Sequence, residues 1–130
     1  MVLLDHFILD VKDVEASIAF YTQILGFTHE GREGPFAVIR VNRQLVMLLS
    51  SRAPQTTEHY AFALPSQEFQ VVITRIKAAG MAYGPSFNTV GSNTGPGDEA
   101  GARGLAATLY FHDPSGHLLE IRHYESDQSL

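Results

Sequence analysis

The stretch "LDHFILDVKDVEASIAFYTQILG", residues 4–26, reads as a strand, a capped helix and a stop. His6, Ile8 and Asp10 alternate with Phe7, Leu9 and Val11, the pattern of a strand with one firmly buried face. Asp13 is placed to cap a helix, and Glu15 sits in its first turn, where the positive end of the helix favours an acid. Val14, Ile18, Tyr21 and Leu25 follow at helical spacing, and Gly26 is predicted to end the helix as its C′ residue. Beyond it, "FAVIRV" (36–41) and "QLVMLLS" (44–50) are predicted strands with Asn42 and Arg43 at the turn between them. Phe27–His29 can add a further short strand.

The second half repeats this plan. In "EHYAFALP", 58–65, His59, Ala61 and Ala63 share one face, and Tyr60, Phe62 and Leu64 the other. Ser66 is the expected N-cap of a second helix, with Phe69, Val72, Ile76 and Ala79 as its apolar stripe and Gly80 as its stop. His59 falls on His6 and Gly80 on Gly26, so the chain is two copies of one supersecondary unit. One copy is too small to bury its own sheet face, and a single domain over 1–130 is expected, with module one at about 1–52 and module two at about 57–125. Residues 87–104, "FNTVGSNTGPGDEAGARG", hold five of the eleven glycines and no hydrophobic period. They are expected to be an inserted loop, either a lid or a tolerated insertion. "LAATLYF" and "HLLEIRHY" then form a hairpin about Asp113-Pro114-Ser115-Gly116. The tail "ESDQSL" is expected to be poorly ordered.

Composition narrows the function. The 130 residues carry a net charge of −5 with nine scattered Lys and Arg, so no basic footprint for nucleic acid is present. No apolar run approaches a membrane span and no basic segment precedes the first strand, so neither a membrane protein nor a secretory leader is expected. There are no cysteines. A metal would therefore be held by His, Asp or Glu, and a cytoplasmic setting is consistent with the composition.

Glu120 lies in the middle of the oily run Leu118–Ile121, and a buried carboxylate is costly unless something pairs with it. On its own it could pair with Arg122 or Arg40. Strand alternation offers another partner. The bulky faces of the leading strands are the ones helices should cover, which leaves His6, His59 and Glu120 on the opposite, concave side. Two histidines and one carboxylate make a facial site for a divalent metal (Mn, Fe, Ni, Co or Zn) with positions open to water or substrate. On this reading a metal ion, not a salt bridge, compensates Glu120. Tyr110 and His112 alternate onto the same face and are candidate substrate contacts, as is Arg122 for an anionic group. His112 is otherwise a residue of the turn or the outer surface, with His117 and His123.

The residues "LDHFILDVKDVEASIAFYTQILGF", "EHYAFALP" and "FHDPSGHLLEI" resemble, in order, three motifs of the vicinal oxygen chelate superfamily. That group contains glyoxalase I, the fosfomycin- and bleomycin-resistance proteins and the extradiol dioxygenases. The resemblance spans the chain outside 87–104. It implies an α+β fold of two paired βαβββ modules forming an open β-cup, with His6, His59 and Glu120 as metal ligands, a small-molecule substrate and a homodimer. It implies isomerase or lyase, transferase, or ring-cleaving dioxygenase chemistry. The alternative is a metal-free binding module of the bleomycin-resistance type.

Departures narrow the reaction. Glyoxalase I has a second glutamate at the module-one counterpart of Glu120, which should fall at Met47 or Leu48, inside a wholly apolar run. The fosfomycin branch has a threonine where this chain has Ile8. It also has a serine-rich cation loop and an arginine shortly after the glutamate ligand, and neither is matched here, although Tyr110 matches a tyrosine near its substrate. Familiar extradiol dioxygenases are about twice this length.

Overall fold

The computed structural model describes residues 1–125; the tail beyond Glu125 lies outside the described residues. The chain divides into two compact units, Met1–Thr56 and Thr57 onward. Unit 1 contains β1 (His6–Asp10), α1 (Val14–Gln23), β2 (Thr28–Glu33), β3 (Phe36–Arg40) and β4 (Val46–Ser50). Unit 2 contains β5 (His59–Ala63), α2 (Ser66–Ala78), β6 (Gly97–Gly101), β7 (Gly104–His112) and β8 (Leu118–His123).

Both units have one topology. Their sheets run β1-β4-β3-β2 and β5-β8-β7-β6, with the leading strand parallel to the last and all other pairs antiparallel. The fold is α+β, two βαβββ units, as the superfamily resemblance implied. The registers fix the correspondence between them. His6 pairs with Val46 and Ile8 with Leu48, while His59 pairs with Leu118 and Ala61 with Glu120. Leu48 is thus the unit 1 counterpart of Glu120, and Met47, buried at 1% exposure, faces the other way.

Each sheet buries one face under its helix. In unit 1 Leu9, Ile39, Met47 and Leu49 meet Phe20 and Tyr21; in unit 2 Leu109, Phe111, Leu119 and Ile121 meet Phe69, Val72, Ile73 and Ile76. Asp13 caps α1 as expected, its Oδ1 accepting from the Ala16 amide at 3.0 Å. Gly26 has φ +77° but lies two residues beyond the Ile24 cap. Gly80 is the C′ residue predicted, with φ +68° and both hydrogen bonds of a Schellman motif, Gly80 N to Lys77 O and Met81 N to Ile76 O.

Three local expectations are corrected. Ser66 is the first helical residue rather than the cap; Pro65 holds that place without a side-chain bond, because a ring that locks φ sets the entry instead. Ala79 is exposed and Ile73 completes the buried stripe. The stretch 87–104 is not loop throughout. Gly97–Gly101 forms β6, paired with β7, and a compact loop precedes it, closed by Gly84 pairing with Tyr110 and by Asn93 accepting from the Tyr83 amide. β6 has no apolar alternation, and it forms because the edge of β7 offers unpaired backbone groups.

Candidate functional site

The face of sheet 2 away from α2 carries His59 on β5, Glu120 and Arg122 on β8, and Thr108, Tyr110 and His112 on β7. Strand alternation puts them there, and the register sets Tyr110 directly opposite Glu120, His112 opposite Leu118 and Thr108 opposite Arg122. His59 Nε2 lies 2.7 Å from Glu120 Oε1. The carboxylate is 4% exposed, whereas the His59 side chain is half exposed, so the pair has a buried end and a wet end.

The other carboxylate oxygen has a partner as well. Arg122 Nη1 donates to Glu120 Oε2 at 2.9 Å. The salt bridge expected only as the plainer alternative therefore exists, and Glu120 is compensated by Arg122 and His59 together. Arg122 in turn donates from Nε to Tyr124 Oη at 3.0 Å and from Nη2 to the Glu99 carbonyl at 3.2 Å. Burial draws the Arg122 pKa down, but the bonds to Glu120 and Tyr124 outweigh it and hold the guanidinium charged. Glu99, on β6, also accepts from Tyr110 Oη at 2.7 Å. Burial first, then that bond, pushes the Tyr110 hydroxyl up, so it stays protonated and donates at neutral pH. The Tyr110 and His59 rings lie 6.0 Å apart.

His6 occupies the matching position on unit 1, at the start of β1. Its Nδ1 lies 2.7 Å from Asp5 Oδ2, and its side chain is half exposed. A carboxylate on Nδ1 orients an imidazole and leaves Nε2 as the ligating nitrogen. Among the described residues, no group of three or more His, Asp or Glu side chains is gathered closely enough to hold a metal ion. His112 is exposed. His117 and His123 depart from the surface expected of them. His117 is 1% exposed, with Nδ1 accepting from the Glu58 amide. His123 turns toward α2, against the Phe69 ring, and bonds the Leu64 carbonyl.

Sequence reasoning missed Glu99 and Tyr124. Glu99 stands in a glycine-rich stretch with no periodicity to mark it, and only the β6–β7 register brings it beside Tyr110. Tyr124 had one signal, its place two residues after Arg122 on the same alternating face.

These features define an α+β protein of two βαβββ units, with a histidine–carboxylate pair on the sheet face of unit 2 away from its helix. The chain belongs to the glyoxalase/bleomycin resistance protein/dioxygenase superfamily, whose family model matches residues 3–121. It is 28% identical over 125 residues to the glutathione transferase FosA of Serratia marcescens, covering 91% of this chain and 78% of that protein. A virulence protein of Salmonella typhimurium is 29% identical, covering 93% of this chain and 83% of that one. The solved structure of the oxidase ChaP-H2 matches with a TM-score of 0.78 at 30% identity, over 95% of this chain and 94% of that one. Two of these relatives are named as enzymes of different reaction classes. Among the described residues, no helix is long and apolar enough to cross a membrane.

Proposed function

We propose that the protein is a divalent-metal-dependent enzyme that chelates oxygens of a small substrate at a site of His6, His59 and Glu120. The observation that carries this reading is the 2.7 Å approach of His59 Nε2 to a buried Glu120 Oε1. A histidine nitrogen and a carboxylate oxygen brought together on one sheet face are donor types that a divalent metal takes. With the carboxylate ionised, the bond requires a proton on Nε2, and that proton is what a metal would replace. His6, oriented by Asp5, is the third donor.

The bound ion would supply Lewis acidity toward substrate oxygens. The chain's own residues do the rest. Tyr110 keeps its proton and offers a hydroxyl beside the pair. Glu99 accepts that proton's hydrogen bond and fixes the direction of the hydroxyl. His112 contributes an exposed imidazole one row further along the sheet. Isomerase or lyase, transferase and ring-cleaving chemistry all use such a site, and relatives named as a transferase and an oxidase support that breadth. We place the enzyme in the cytoplasm as a homodimer; β1 and β5 stand at the edges of their sheets, and the need of sheet edges for cover supports a second copy.

The test is elemental analysis of protein stripped with chelator and reloaded with Mn²⁺, Fe²⁺, Co²⁺, Ni²⁺ or Zn²⁺. One equivalent per chain is expected in wild type, with loss in His59→Ala and Glu120→Gln. Wild type without stoichiometric metal, and indistinguishable from His6→Ala, would sink the reading.

A further inference from the structure

We propose that Arg122 is a positioning residue, built into the fold to keep Glu120 a ligand through one oxygen only, and that β6 exists in part to hold Arg122 in place. The inference rests on the metal reading above and adds a role to residues which that reading leaves idle. It also differs from the anion-binding role that strand alternation suggested for Arg122.

The geometry is specific. Glu120 Oε2 is taken by Arg122 Nη1, so only Oε1 points toward His59. The guanidinium cannot follow Glu120 elsewhere. Nε is committed to Tyr124 Oη, Nη2 to the Glu99 carbonyl, and Nη1 also lies 3.9 Å from Glu99 Oε1. Its side chain is 10% exposed, which leaves little of it for a substrate. Gly101 closes the enclosure: a Cβ there would sit 2.5 Å from Nη2 and 2.9 Å from Cζ. Arginine suits the task because its planar fork fixes several acceptors at once, which a lysine ammonium does not. A carboxylate with one oxygen clamped could offer a bound ion only the other, which would leave positions on that ion for substrate.

The experiment titrates Co²⁺ into chelator-stripped wild type, Arg122→Met, Arg122→Lys and Gly101→Ala, reading affinity by competition with a chromophoric chelator and coordination by the visible absorption of the bound ion. Folding of each variant is checked by circular dichroism. Arg122→Met is expected to bind Co²⁺ roughly 10- to 100-fold more weakly, with an altered absorption band. Arg122→Lys should recover part of the affinity but not the band, and Gly101→Ala should fall between wild type and Arg122→Met. A folded Arg122→Met with wild-type affinity and spectrum overturns the proposal. If that variant does not fold, a folded Gly101→Ala with both properties unchanged does so instead. A wild type that binds no Co²⁺ overturns the metal reading, and this inference with it, and is distinguishable from either result.

Discussion

The two units share a topology and a strand register, yet the sheet faces away from their helices are chemically opposed. On unit 1 the positions around His6 are Ile8, Val38, Val46 and Leu48, all apolar. On unit 2 the matching positions around His59 are Ala61, Tyr110, Leu118 and Glu120, and Arg122 stands where unit 1 has Ser50. The backbone repeats the place, and the side chains decide whether the place is an acid–base network or an oily wall. A carboxylate at position 120 is tolerated because an arginine two residues on, a tyrosine after that and β6 were assembled with it.

That contrast can be broken most severely from the unit 2 side. Glu120→Ala removes the nearer of two carboxylates beside the buried Arg122, leaving only Glu99 at 3.9 Å, and should cost about 3 kcal/mol in urea unfolding, as breaking buried ion pairs does. The reciprocal change, Leu48→Glu, puts a carboxylate at the matching place in unit 1 with no arginine to meet it. A loss of roughly 1 kcal/mol is expected, measured the same way, because Leu48 is half-buried and the new group gives up part of its hydration without a partner. Adding Ser50→Arg to Leu48→Glu should return part of that loss; the double-mutant cycle should give a favourable coupling of about 0.5–3 kcal/mol if register is what makes the pair. The smallest contrast lies between the helices. Asp13→Ala removes a cap bond and should cost about 1 kcal/mol in thermal unfolding, while Ser66→Ala, at a helix start with no side-chain cap, should stay within about 0.5 kcal/mol of wild type.

The elements with period-two or helical spacing were legible from sequence alone: β1, β3, β4, β5, β7, β8, both helices and the Gly80 stop. So was the shared face of His59 and Glu120, because alternation carries that information directly. The rest was not, for identifiable reasons. β6 has the sequence Gly-Asp-Glu-Ala-Gly, which carries no strand propensity; its pairing is dictated by an edge elsewhere in the chain. Glu99 inherits that invisibility. His117 reads as a turn residue, and its burial follows from an amide 59 residues away that needs an acceptor. The counterpart of Glu120 could be narrowed only to Met47 or Leu48 until the parallel register chose Leu48.

β6 buries none of its five residues fully. It is attached to the sheet by backbone hydrogen bonds along one side and by the contacts of Glu99. Segments held in this way open at a small fraction of the free energy of global unfolding and exchange their amide hydrogens early. Each such excursion would release the Glu99 contacts of both Tyr110 and Arg122 in one event, while β5 and β8 stay paired. The stiffness of Glu120 is therefore set by the opening equilibrium of an outer strand, and amide exchange on β6 becomes a measure of how firmly the carboxylate is held.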